Sequence, residues 1–348
     1  MTDSPSPRGA IRDRDYLLDR HGVIFKVIGD VHPDGHYLGY VKYHPDPRGD
    51  RQLFGQTYRQ NTVVSKSFGI LADRPECYLY SPVLGCVITG LPRQDIATHY
   101  SCRQALAAIH DDPGRVHPAR AGEDLLAILT RIIDAGAADL FGVTGSFLVG
   151  CFNARSDIDL VCYGQAGYEA ARELFADKDV IRPYAGDDLM QLYLRRAKYM
   201  AGSNFDALIR LEQRKFQGLT ARAGAHINCE PLRCDTDRAF ARMYAKEIGE
   251  MTLLATITDH EQGLVTPALY RINVQIILSS TVDEPEAFAR RITYLRSYLG
   301  AYTGAFRTGD TVYLSGKLVH LQDGDHDGFG IELTPWSVSK SYLANLTG

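Results

Sequence analysis

No run of apolar residues in this sequence approaches the ~18 needed to cross a bilayer as a helix, so no membrane partner is expected. The opening MTDSPSPRGA has no apolar stretch of the kind that directs export, which makes the cytoplasm the expected compartment. There is no C-x-x-C pair among the seven cysteines, Cys77, Cys86, Cys102, Cys151, Cys162, Cys229 and Cys234. Odd in number and scattered, they argue against a disulfide framework or a zinc ribbon and read as reduced, mostly buried thiols. A global excess of positive charge is also missing: 38 Lys and Arg stand against 42 Asp and Glu, a formal net charge of −4, which supplies no field for non-specific nucleic-acid binding. No internal repeat is visible. What remains is an ordinary globular composition, 45% apolar and 23% charged over 348 residues, enough for two or three domains with a sizeable core.

Residues 1–12 read as a disordered tail rich in Pro, Ser and Gly. From Tyr16 to Tyr43 apolar and polar residues alternate around His-Pro-Asp-Gly at 32–35, which predicts a β-hairpin with aromatic strands. Short strands at 77–80 and 85–89 and a helix near 94–109 complete an expected N-terminal α+β domain over 13–112. A second unit, 113–238, opens with an amphipathic helix carrying Leu125, Leu126, Ile128, Leu129, Ile132 and Ile133. It continues as strand 140–143, a Gly-Ser turn, a short helix, strand 158–163, helix 168–177 and a helical stretch over 187–217. The last part, 239–348, has five strand-like runs, at 251–258, 268–278, 293–302, 311–321 and 328–334. These suit a small OB-like β-barrel. The fold class expected is therefore α+β.

The chemistry concentrates in LFGVTGSFLVGCFNARSDIDLVCYG, residues 140–164, where Gly145-Ser146 is followed by Asp157-Ile158-Asp159-Leu160. On a strand, Asp157 and Asp159 project to one face while Ile158, Leu160 and Cys162 enter the core. Two adjacent carboxylates repel each other unless a cation lies between them, and hard oxygen ligands of this kind suit Mg²⁺ held jointly with substrate phosphates. Gly145 lets backbone amides approach an anion closely, and Ser146 adds a hydroxyl at a helix N-terminus. Together the two halves describe a site that holds a nucleoside triphosphate on metal.

This arrangement resembles the DNA-polymerase-β-type nucleotidyltransferase superfamily, whose signature is an apolar residue, Gly-Ser, a spacer, then Asp-apolar-Asp-apolar. Further segments, RDYLLDRHGVIFKVIGDVHPDGHYLGYVKYHPD, LEQRKFQGL, GLVTPALYRINV and YLGAYTGAFRTGDTVYLSGKL, look like a family of predicted nucleotidyltransferases found mainly in archaea. The resemblance implies an enzyme in which an acceptor hydroxyl attacks the α-phosphate of an NTP and pyrophosphate leaves, assisted by two Mg²⁺ ions, with Mn²⁺ as a substitute. It assigns Asp157 and Asp159 to both ions and calls for a third carboxylate on a later strand, for which the candidate is Glu230 in AHINCEPLR, facing the same way as Asn228. The superfamily more often has Asp there, and Asp235 and Asp237, in a polar turn, are rivals.

Between 195 and 222 lie Arg195, Arg196, Lys198, Arg210, Arg214, Lys215 and Arg222 against only Asp206 and Glu212. Arg214 and Lys215, preceding the candidate third-carboxylate strand, are the favoured phosphate ligands, with Arg155 a further one. Asp323-Gly-Asp-His-Asp-Gly328 begins like an EF-hand loop but has Thr334 at the twelfth position, so it reads as a hairpin turn. His21, His32, His36 and His44 lack metal-ligand spacing. Two competing functions remain: a nucleic-acid-binding protein with a vestigial core, and nucleotidylation of a protein or RNA end. Residues 239–348 hold nine Lys and Arg against twelve Asp and Glu, the wrong sign for a strand binder. The expected acceptor is therefore a small hydroxyl-bearing metabolite.

Overall fold

The alternation that begins at Tyr16 becomes a three-stranded antiparallel meander, β1 (Tyr16–Asp19), β2 (Ile24–Val27) and β3 (His36–Pro45). Its first turn is closed by the buried Asp19, whose Oδ1 accepts from the amides of His21 (2.9 Å) and Val23 (2.8 Å). The expected hairpin around His32–Gly35 is the second turn of this meander. The computed structural model describes residues 11–117, 119–197, 205–233, 243–323, 326–333 and 342–345. Most of the expected tail, residues 1–10, lies outside them.

By compactness the chain forms two units, one of residues up to Leu79 together with Val87–Val161, the other of Tyr80–Cys86 together with Cys162 onward. The first unit thus contains both the meander and the Gly145–Asp159 segment. It continues through β4 (Arg51–Leu53), β5 (Gln56–Gln60), α1 (Lys66–Ile70), β6 (Tyr78–Ser81), β7 (Cys86–Pro92) and β8 (Ile96–Tyr100). Its sheet runs β4-β5-β3-β2-β1-β8, with β7 pairing both β3 and β6. Leu17, Phe25, Val27, Val41 and Leu91 cluster on one face, with Leu71 and Cys77 packed on them. The other face carries a row in register: Tyr100 opposite Tyr16, Tyr16 opposite Lys26, Lys26 opposite Tyr40.

Residues 96–100 are a strand and not the start of a helix as expected: Ile96, Thr98 and Tyr100 favour extended backbone. The helix α2 (Cys102–Asp111) begins only after Ser101, whose hydroxyl caps the Gln104 amide. The amphipathic helix α3 (Arg120–Asp134) buries Leu125, Ile128, Leu129 and Ile132. Then come β9 (Phe141–Thr144), α4 (Gly145–Val149) and β10 (Ile158–Tyr163), with β9 beside β10. A Cβ on Gly142 would come within 2.8 Å of the Cys102 backbone, so α2 and β9 approach closely because that position has no side chain.

Within the second unit, α5 (Gly164–Ala176) leads to β11 (Ile181–Arg182), α6 (Asp187–Ala197), α7 (Phe205–Gln213), β12 (Gln217–Thr220) and β13 (His226–Leu232). Strands β11, β12 and β13 are antiparallel neighbours. The continuous helical stretch expected over 187–217 is two helices, and its last residue opens β12. The expected boundary at 238 falls among residues 234–242, outside the described residues.

Beyond it, β14 (Met243–Asp259), β15 (Ala268–Ser280), α8 (Glu286–Ala289), β16 (Ile292–Ser297), β17 (Thr311–Asp323), β18 (His326–Leu333) and β19 (Tyr342–Asn345) follow. Five of these close a ring, β14-β15-β16-β18-β17 and back to β14, in which only β16 and β18 are parallel. Leu253, Ala255, Ile257, Tyr270, Leu295, Phe306, Leu314 and Ile331 fill it. The Tyr270 hydroxyl is satisfied inside the ring, donating toward the Tyr302 carbonyl (2.5 Å) and accepting from the Ala305 amide (3.1 Å). The strand expected over 293–302 stops at Ser297, because Gly300–Tyr302 forms a 3-10 turn.

Candidate functional site

Between β9 and α4 the backbone must turn sharply, and it does so at Gly145, whose φ is +71°. A Cβ at this position would stand 2.2 Å from Asp159 Oδ2 and 3.0 Å from its Cγ. Glycine is therefore required twice: for the left-handed backbone, and to leave room for a carboxylate fourteen residues ahead. The two halves of the sequence pattern meet at this point, Gly145 from one side and Asp159 from the other.

Helix α4 has five residues and ends on Gly150, in the left-handed conformation with φ +74°. Its shortness leaves little macrodipole for an anion to use. Ser146 is 7% exposed, deeper than a purely solvent-facing phosphate ligand would be. The return to β10 is held by an Asx turn: Asn153 Oδ1 accepts from the Arg155 amide (3.0 Å), and Ser156 Oγ accepts from the Asn153 amide (2.8 Å). Asp157 is the residue just before β10 and is exposed, Asp159 lies within it and is half-buried, and Ile158 and Leu160 are fully buried. The alternation puts both carboxylates on the solvent side of the strand start, as the spacing predicts.

The sheet of the first unit supplies groups that sequence reading did not single out. Arg51 of β4 donates through Nη1 to Ser156 Oγ (2.8 Å) and toward the Cys151 carbonyl (3.4 Å), fixing the loop that delivers Asp157. The Tyr43 hydroxyl of β3 donates to the Cys151 sulfur, and burial raises both groups above their ordinary pKa. At the other end, Thr144 Oγ1 donates to the Arg14 carbonyl (3.1 Å), and the Cys102 amide donates to Asp15 Oδ1 (2.8 Å). Asp15 Oδ2 lies 2.7 Å from His99 Nε2.

Tyr16, fully buried, is pushed well above the phenol range by burial, with Tyr43, Tyr40 and Asp159 adding to it. Burial lowers Lys42, whose ammonium also senses Tyr40, Lys26 and the Asp159 carboxylate. Tyr16 lies on β1 and Lys42 on β3, and their spacing in the sequence carries no signal that links them to Asp159. Tyr40 and Lys42 flank the fully buried Val41, yet neither is fully exposed.

The remaining sequence candidates have other immediate partners. Arg155 is 84% exposed and lies 3.8 Å from Asp50. In the second unit, Arg214 Nη1 donates to Asp310 Oδ2 and to the Ala305 carbonyl, each at 2.8 Å. Lys215 pairs with the buried Glu212. Glu230 is half-buried on β13, on the same face as Asn228, and its Oε1 would be 3.1 Å from a Cβ at Gly300. The rivals Asp235 and Asp237 lie outside the described residues, as do Lys198 and the side chains of Arg195 and Arg196.

Among the described residues, no three His, Cys, Asp or Glu side chains gather into a metal-holding group. The donor set at Gly145 is thus two hard carboxylates, one exposed and one half-buried. That suits a small divalent cation that completes its shell with water and substrate oxygens, and it does not suit a closed protein cage.

No family model matches the sequence, and no solved structure matches the fold. The chain is similar, at 20% identity over 327 residues covering 90% of it and 92% of the relative, to the "Uncharacterized protein MJ1086" of Methanocaldococcus jannaschii.

Proposed function

We propose that the first unit carries a nucleotidyl-transfer site of the DNA-polymerase-β type, which moves a nucleoside monophosphate from an NTP to a small hydroxyl-bearing acceptor. The observation that carries this reading is the contact between the left-handed Gly145 and the Asp159 carboxylate. Gly-Ser and Asp-x-Asp become parts of one surface, and each of them alone would mean little. In the same reading the closed ring is OB-like: the parallel pairing of its third and fifth strands suits that fold.

In the reaction, the acceptor hydroxyl gives its proton up to water and its oxygen forms a bond to the α-phosphorus. The bond from that phosphorus to the bridging oxygen breaks, and pyrophosphate departs with the electron pair. Asp157 and Asp159 would hold a divalent cation, Mg²⁺ or Mn²⁺, which when bound neutralises charge on the phosphate oxygens. Gly145 keeps the Asp159 carboxylate turned toward the strand start, and the Asn153–Ser156 turn with Arg51 sets the height of Asp157. A polynucleotide acceptor is disfavoured by the acidic balance of residues 239–348, which would oppose a run of phosphates.

The test is incubation of the purified chain with each labelled NTP, Mg²⁺ and a metabolite extract, beside the Asp157→Asn and Asp159→Asn variants. Label transferred by the wild type and lost in both variants supports the reading. Equal labelling by all three proteins overturns it.

A further inference from the structure

A β-bulge shapes the face of the first-unit sheet that bears Tyr16, Lys26 and Tyr40. Ile24 pairs with Tyr43, but its neighbour Phe25 pairs with Val41, so Lys42 is an extra residue on β3 without a partner position on β2. Bulges re-aim side chains, and they are common beside functional sites. Here the bulge lets Val41 and Phe25 remain in the apolar cluster while Lys42 and Tyr43 both turn toward the opposite face.

That face is polar, and its charges are unusual. It brings two ammonium groups, Lys26 and Lys42, near enough to feel each other, on a half-buried surface where like charges are costly. Asp159 is the carboxylate that both the Lys42 ammonium and the Tyr16 hydroxyl sense. Tyr16, with 0% of its surface exposed, has a hydroxyl with no hydrogen-bond partner among the described residues. Leaving a buried hydroxyl unpaired is costly, so its retention here calls for an acceptor. Two cations and an unanswered donor beside a carboxylate pair have the composition of a polyphosphate clamp: cations for the outer phosphate oxygens, and carboxylates for the metal that bridges them.

We propose that Lys42 and Tyr16, presented by the sheet of the first unit, bind the polyphosphate of the donor nucleotide beside Asp159, with Lys26 as the supporting cation. This inference rests on the nucleotidyl-transfer reading for the identity of the donor, but not for the anion it binds. Lys42 and Tyr16 take the role that sequence spacing gave to Arg214 and Lys215, which are engaged by Asp310 and Glu212.

Calorimetric titration of the full chain with inorganic tripolyphosphate, first with chelator and then with Mg²⁺, separates the parts. Metal-free binding should weaken about tenfold in Lys42→Met and about threefold in Tyr16→Phe, and return to within about threefold of wild type in Lys42→Arg. Asp157→Asn should leave metal-free binding intact and remove only the increment due to Mg²⁺. Tyr16→Phe keeps the ring and serves as the second probe if Lys42→Met is unstable.

No binding by the wild type, or wild-type affinity in both Lys42→Met and Tyr16→Phe, overturns the proposal. Binding that depends on Lys42 in a chain that transfers no nucleotide upholds the anion site and removes the transfer reading. Transfer with an unchanged KM for NTP in Lys42→Met does the opposite.

Discussion

In the ring of the second unit, Arg296 and Glu332 are 3% and 2% exposed and meet at 2.6 Å, with Arg296 Nη2 also donating to the Val83 carbonyl at 3.1 Å. At Gly145 in the first unit, Asp159 follows Asp157 on the same side of the strand start, and the cation that senses it, Lys42, arrives on a strand much earlier in the sequence. The ring pair joins opposite charges on adjacent strands, β16 and β18, where Arg296 stands opposite Glu332 in register. It is closed to solvent, and burial still holds the Glu332 carboxyl above its ordinary range against the pull of Arg296. Such a pair specifies how strands are aligned, and the atoms it leaves over, Arg296 Nε and Nη1 and Glu332 Oε1, are shut away from solvent. The Gly145 region does the reverse, keeping like charges together, half-exposed, where an external cation and anion can complete them. Buried charge therefore means different things in the two units: alignment in one and, on the proposed reading, readiness to bind in the other.

The comparison can be broken most decisively at Asp159. Asp159→Asn, and Asp157→Asn with it, should lower transfer at least about a thousandfold, roughly 4 kcal/mol of barrier, while the unfolding midpoint stays the same or rises as the repulsion is removed. Activity within about tenfold of wild type in both would place the chemistry elsewhere. Next in size, Arg296→Met should destabilise the second unit by about 3–5 kcal/mol, because Glu332 is left uncompensated. Adding Glu332→Leu should recover most of that loss in urea titration without altering transfer. If the double variant loses activity while remaining folded, the ring pair is not merely structural.

A smaller effect separates the first unit by pH. Burial, with the nearby Asp13 assisting, raises Asp30 to about 7. Its folded state therefore holds a proton that the unfolded chain releases near pH 4, and stability declines as pH rises from about 4 to 7. Asp30→Asn should be more stable than wild type at pH 8, by roughly 2 kcal/mol after allowance for partial exposure, and indistinguishable from it near pH 4. Equal pH profiles in thermal melts would refute the assignment. The smallest change is Ser146→Ala, expected to raise the KM for nucleotide only severalfold, since Gly145 and the carboxylates persist. A loss of kcat with KM unchanged would make Ser146 part of the chemical step.

How legible each region was in the sequence follows from the range of its interactions. The strand start at Ile158, the outward side of Asp157 and Asp159 and the presence of five strands in the last region were visible because period-two alternation is local. The residues at 96–100 were misread because a short strand followed directly by a helix mixes both periods, and only the Ser101 cap separates them. Arg51, Tyr16 and Lys42 were invisible as site residues for a different reason. Arg51 reaches Ser156 across 105 positions, and no spacing rule spans such a distance. Arg214 and Lys215 looked available because a sequence displays charge without displaying the Asp310 and Glu212 that engage it.

The hydrogen bond from Thr144 to the Arg14 carbonyl joins positions 130 residues apart, and it has a consequence in time as well as in space. On a ribosome adding about 5–20 residues per second, β1 waits roughly 6 to 26 s before the strand that leads into Gly145 exists. During that interval the meander can pair its own strands, but the Tyr16 and Lys42 face has nothing to cover it. The nascent chain therefore passes through a stage in which this tyrosine and lysine surface lacks the Asp159 carboxylate that it senses in the folded unit.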